Sequence, residues 1–260
     1  MAKVVKNITS WKEFLDELPP LNTHREWVYR GQSAAKWKLE PSISRYFDYI
    51  REHLGIKKIV EEDYEYYMLQ NFKKSARLYA DRLPNEDDDL EWLAIMQHYG
   101  CPTRLLDFSF TPYIALFFAA SSGNTDFSLF IIPCEGMINN GKMLGSIKIN
   151  KKTNVGKVLS ENVVVFEPKI ITERQLLQQS VFLCPTTIRS SVERCILNQE
   201  FLDEAKKLII NKNLRWDFLR ELNKMNINTA TLFPGMQGYC ESLKMLPLYN
   251  THSLRHFSKS

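Results

Sequence analysis

The sequence predicts an α+β fold in a single domain over residues 1–260, core about 11–246, with a helical N-terminal half around a mixed or antiparallel sheet. Three patterns lead there. Aromatic and apolar residues recur at helical spacing from Ile59 to Leu83, β-branched and aromatic runs gather in the middle of the chain, and Pro112 to Ala120 is apolar on every side.

Taken in order, Ser10 and Glu13 form a capping pattern ahead of Trp11, Phe14, Leu15 and Leu18, so a short amphipathic helix starts there and Pro19-Pro20 stops it. Glu26 to Gly31 reads as a strand ending at a glycine, and Trp37 to Ser42 as an extended stretch closing in a turn. Tyr64, Tyr67, Met68, Phe72, Ala76 and Tyr79 mark the longest helix of this half. The acids of Asn85 to Asp89 break it and suit the dipole of a second helix, Leu90 to Tyr99, as an N-cap with solvated neighbours. Gly100 and Pro102 end that helix. Pro112 opens a buried helix through Ala120, expected at the centre of the core. Ser128 to Pro133, Val163 to Phe166 and Ser180 to Cys184 are strands. Lys148 to Gly156 is a polar loop, Ala205 to Asn223 an amphipathic helix, and Gly238 to Leu246 a final helix.

Apolar residues make up 44% and charged residues 25% of the chain, which is ordinary globular usage and excludes a disordered polymer. A net charge of +4 permits an anionic ligand without implying a nucleic-acid surface. The five cysteines are scattered and never in C-x-x-C spacing, so neither a disulfide framework nor a zinc site is signalled, and no metal is expected. Reduced thiols fit a cytoplasmic protein. Met1 to Asn7 lacks the apolar stretch of a signal peptide, and no apolar run reaches about 18 residues, so no membrane association is expected.

Three segments could carry chemistry. Arg30, at the end of an apolar strand and followed by Gly31, could hold a phosphate or carboxylate bidentately, or form a structural ion pair. The string Gln97 to Asp107 packs polar groups between two apolar helices. In it His98 could carry a proton, Arg104 could act as a second anion clamp, and Asp107 could orient either; alternatively His98 is structural and Arg104 with Asp107 forms a local salt bridge. Arg174 to Phe182 is the third segment.

The strings Trp27-Val28-Tyr29-Arg30-Gly31-Gln32, Trp37-x-Leu39-x-Pro41-Ser42-Ile43-x-Arg45, Trp92 to Asp107 and Pro112-x-x-Ala115-Leu116-x-Phe118-Ala119 resemble the FRG domain, named for its aromatic-Arg-Gly. Arg174-x-x-x-Gln178-x-Ser180-x-Phe182 and Leu232-Phe233-Pro234 extend the likeness, so that it runs from about Trp11 to Leu246. The chain departs from the pattern at Ser180, usually glycine, and at Gly235-Met236-Gln237-Gly238, often Asp-Leu-Asp-Gly; no carboxylate can act from 235–237 here.

Tyr29-Arg30-Gly31 is also similar to the first motif of arginine-serine-glutamate ADP-ribosyltransferases, Phe108 to Thr111 to their serine-threonine-serine strand, and Gln178 to Leu183 falls where their Glu-x-Glu strand would come. That resemblance implies an ADP-ribosyltransferase-like fold using NAD as substrate. Tyr29, Arg30, Gly31, Gln32, Gln97, Tyr99, Arg104 and Ser109 would bind it, and His98, Asp107 and Gln178 would act in catalysis. The missing glutamate leaves three routes open: Gln178 as a neutral ribose ligand, a carboxylate such as Asp107 or Glu173 from another direction, or binding without turnover. The implied role is a toxin or antiviral defence effector modifying a nucleic acid or protein, with a neutralising antitoxin as a further partner. The alternative is a non-catalytic module that binds nucleotide, nucleic acid or protein. A hydrolase built on His98 and Asp107 ranks last, because Cys101 beside them has no recognised nucleophile motif.

Overall fold

The computed structural model describes residues 4–20, 25–56, 60–80, 83–134, 149, 163–169, 172–188, 192 and 204–246. Apart from Ile149, the polar segment from Lys148 to Gly156 lies outside them. The described strands are β1 (Val4–Ile8), β2 (Trp27–Gln32), β3 (Leu106–Ser109), β4 (Phe127–Pro133), β5 (Val163–Phe166), β6 (Ser180–Pro185) and β7 (Lys206–Ile210). They form one mixed sheet in the order β1-β7-β4-β2-β3-β6-β5, in which β1 and β7 run parallel and every other neighbouring pair antiparallel. All residues of β4 are buried, as a strand covered on both faces requires.

The structure corrects the sequence expectation at residues 206–210 and after Pro41, and adds β1, which was not expected. Residues 206–210 belong to a strand rather than to the start of a helix, because Leu208-Ile209-Ile210 finds β1 on one side and β4 on the other, and such pairing overrides local periodicity. The helix there begins only at Arg215. The stretch after Pro41, expected as a turn, continues as a helix, Ser42–Leu54, whose Ile43, Phe47 and Ile50 are buried.

The described helices are α1 (Trp11–Asp16), α2 (Ser42–Leu54), α3 (Glu61–Ala76), α4 (Asp89–His98), α5 (Pro112–Ala120), α6 (Glu173–Leu177), α7 (Arg215–Lys224), α8 (Thr229–Leu232) and α9 (Met236–Leu243). No described helix is long and apolar enough to cross a membrane. At α1, Ser10 Oγ accepts the Glu13 amide at 3.1 Å, and the Glu13 carboxylate accepts from the Thr9 amide at 2.8 Å. Ahead of α4 the acids are not merely solvated. Asp89 pairs with the buried Lys73 at 2.9 Å and accepts from the Ile149 amide at 3.0 Å, while Asp88 takes the Lys169 ammonium at 3.1 Å.

The apolar helix α5 lies against β2 and β4 and buries Ile114, Ala115, Leu116, Phe117, Ala119 and Ala120. Its C-terminal carbonyls are held by Arg215, whose Nη1 donates to Ala119 O at 2.9 Å and Ala120 O at 3.0 Å and whose Nη2 donates to Thr125 O at 2.8 Å. A cation there complements the negative end of the helix. Phe117 is 2% exposed in the main core cluster, whereas Phe118 is only partly buried and faces two surface clefts. The sequence puts the two on a par; the structure separates them. Phe117→Ala is expected to cost about 3–5 kcal/mol through lost transfer and cavity formation, and Phe118→Ala distinctly less. Chemical denaturation of both variants checks this, and equal losses would contradict the assignment.

Candidate functional site

Strand β2 pairs with β4 along its whole length, from Trp27 opposite Pro133 to Gln32 opposite Ser128, but meets β3 only at Tyr29 opposite Ser109. Where that ladder stops, the Arg30 side chain takes the place of a strand amide. Its Nη1 donates to the Asp107 carbonyl at 2.6 Å and lies 3.9 Å from the Asp107 carboxylate. The side chain is 21% exposed, and its Nε is buried with no partner among the described residues. Burial pulls the guanidinium below its usual pKa, Asp107 opposes this and Arg45 adds to it; the group stays charged regardless.

A cleft of about 420 Å³ opens at this gap. Tyr29, Arg30, Asp107 and Ser109 form its floor from β2 and β3, and Phe118 of α5 stands on one side. The C-terminal end of α4 contributes Gln97 and His98, held there because Gly100 adopts φ 85° and ends the helix. The opposite wall is Arg174, Gln178, Ser180 and Phe182 from α6 and β6. Arg30, Gln97, His98 and Asp107 thus converge although Arg30 is distant in sequence.

Arg174 was visible in the sequence as part of a motif, yet nothing local marked it as a ligand for the cleft. A capping box between Thr172 and Gln175 starts α6 and sets Arg174 on it, with the guanidinium 4.5 Å from the Phe233 ring centre. Arg174 also acts on His98. Desolvation first, and then the nearby Arg174, hold the imidazole below its ordinary 6.5.

Other expected ligands are committed elsewhere. Arg104 is no anion clamp: its guanidinium is buried and held bidentately by Glu65, with Nε 3.0 and 2.9 Å from the two carboxylate oxygens, and it donates to Thr186 O at 3.0 Å. Nor does it pair with Asp107. Burying a cation demands such a partner, and the sequence could not show one 39 residues away. Tyr99 is 69% exposed and forms no part of the cleft wall. Gln32 donates to Lys38 O at 2.9 Å and borders a neighbouring cleft. Ser109 Oγ donates to Gln178 O at 2.8 Å, and Gln178 Nε2 to Leu232 O at 2.9 Å, so both serve the wall itself. Gly31 borders the cleft, but its lack of a side chain is explained by α5: an added Cβ would lie 1.8 Å from Ala115 O. Pro41-Ser42-Ile43 docks α2 on the 101–104 loop, Ser42 Oγ accepting the Thr103 amide at 2.9 Å. Among the described cysteines, burial pushes Cys134 and Cys184 up to about 12, which leaves them poor nucleophiles; Cys195 lies outside the described residues.

The aromatic-Arg-Gly strand, the Gln97 to Asp107 string and α5 therefore meet around one gap in the sheet. Residues 25–127 match the family model of the FRG domain. The FRG match holds Arg30, His98, Asp107 and Phe118, while Arg174, Gln178 and Leu232-Phe233-Pro234 lie beyond it, so the C-terminal wall of the cleft falls outside the matched segment. No curated protein and no solved structure matches the chain.

The low His98 pKa carries a sign that can be checked. At pH 7 the ring is neutral, and it becomes a cation beside Arg174 only as pH falls through a pKa held below the ordinary 6.5. An anion in the cleft favours the cation, so binding takes up a proton and affinity rises as pH falls. Any anion that seats there and stays ionised throughout is expected to bind more tightly as pH falls through the His98 pKa. Titration calorimetry should find this dependence flattened in His98→Gln.

Proposed function

We propose that the FRG cleft binds NAD as substrate and that the protein is an ADP-ribosyltransferase-like effector modifying a macromolecular target. One observation carries this reading: Arg30 and Arg174 line one cleft together with its single carboxylate, Asp107. Two guanidiniums suit a diphosphate, Phe118 offers a surface for a flat ring, and the volume lies within the usual range of small-molecule sites, about 300–1,000 Å³.

Breaking the nicotinamide–ribose bond sends its electron pair to nicotinamide and leaves positive charge on the ribose. Asp107, the carboxylate on the cleft wall, would stabilise that charge; Glu173 lies off that wall. Gln178, its amide nitrogen engaged by Leu232 O, shapes the site rather than supplying charge. A new bond then joins ribose to a nucleophile of the acceptor, and the neutral His98 can accept the proton it gives up. Arg30 anchors the diphosphate through the donors that Asp107 O leaves over.

The parent protein is expected to release nicotinamide when given NAD and a cell extract. Asp107→Asn should retain ADP-ribose binding but lose at least about tenfold in release, as removal of a charge-stabilising group does. ADP-ribose binding with no release from the parent would favour the second reading, a nucleotide-binding module. The absence of a glutamate between Gln178 and Leu183 supports that alternative.

A further inference from the structure

Arg30, Gly31 and Phe118 also form one side of a second cleft, of about 720 Å³, at the C-terminal end of β2. Its remaining wall is largely cationic: Lys36, Lys38 and Arg45 join Arg30 against the single carboxylate of Glu40. With a net charge of only +4 on the whole chain, this basic character is local. Between the two lysines stands Trp37, 53% exposed.

The loop bearing Trp37 is pinned. Ala35 donates its amide to Asp126 O at 2.7 Å, Trp37 donates to Ala34 O at 3.1 Å, Gln32 Nε2 holds Lys38 O at 2.9 Å, and Lys207 Nζ holds Trp37 O at 3.2 Å. An exposed indole on a fixed backbone loses little freedom when something stacks on it. Aromatic platforms set among cations are how proteins hold single strands: phosphates follow the charge and bases stack on the ring. A polyglutamate peptide would use the cations but brings no aromatic ring to stack on Trp37.

Resting on the reading of the FRG cleft as the NAD site, we propose that this second cleft docks the acceptor, and that the acceptor is a single-stranded nucleic acid. The shared wall at Arg30 and Phe118 then brings a nucleotide of the strand up to the bond being broken.

The test uses the full-length protein and a fluorescein-labelled strand of twelve thymidines, read by anisotropy, with ADP-ribose binding measured in parallel. The parent is expected to bind the strand in a salt-dependent manner. Trp37→Ala should weaken it about tenfold, and Lys36→Glu with Lys38→Glu should both weaken it and flatten the salt dependence. Both variants should keep parent-like ADP-ribose affinity and melting curves, since these side chains are exposed and outside the first cleft. No strand binding by the parent, unchanged affinity in Trp37→Ala, or equal displacement by a polyglutamate peptide would each overturn the proposal. Strand binding without ADP-ribose binding would instead sink the NAD reading and leave the nucleic-acid site standing.

Discussion

Gly31→Ala is expected to destabilise the protein by about 3 kcal/mol or more, at the upper end of what overpacking costs. The added methyl carbon would sit 1.8 Å from Ala115 O, 2.9 Å from Ala115 C and 2.8 Å from Ala119 N, all of them backbone atoms of α5. Main-chain atoms cannot rotate away, so α5 must lift from β2. That helix holds Phe117 in the core and Phe118 between the clefts, so the shift spreads to both. For a domain of this size the loss corresponds to a melting temperature lower by about 6–12 °C, and ligand binding should fall with it. A Gly31→Ala protein with a parent-like melting curve would show that α5 does not seat as described. The glycine of the aromatic-Arg-Gly string is thus explained by packing against α5.

Arg30→Lys is expected to abolish nicotinamide release, or weaken ADP-ribose binding by at least about tenfold, with little change in stability. Lysine keeps the charge but not the planar fork that serves two acceptors at once. In the native site one prong already goes to Asp107 O at 2.6 Å. A lysine that satisfied the same carbonyl would have no second fixed donor left for a phosphate. The competing account makes Arg30 a strut across the β2–β3 gap, and then the same substitution should lower the melting temperature and spare activity. Measuring release, affinity and melting on the one variant separates the two. Lost stability with full activity would refute the anchoring role.

The reading of α5 from Pro112 to Ala120 held because its signals are local: proline at the first position and apolar residues on every side. The same holds for Ser10 capping α1 and for the strand at Tyr29-Arg30-Gly31, as it does for Gly100 ending α4. The α+β class follows from such segments.

Which residues of the Gln97 to Asp107 string line the cleft depends on contacts between distant segments. Arg104 and His98 look equally available in sequence, yet Glu65 on α3 claims one and leaves the other at the cleft mouth. Residues 206–210 carry β-branched side chains in a stretch whose spacing also fits a helix, and β1 with β4 settles the choice. Arg174 enters the cleft because β6 lies beside β3, and Gly31 is needed because α5 crosses β2. Periodicity and caps report interactions over a few residues, so they reveal elements. The fate of a buried charge, a strand edge or a missing side chain is set by whatever packs against it, and that partner is chosen only when the chain closes on itself.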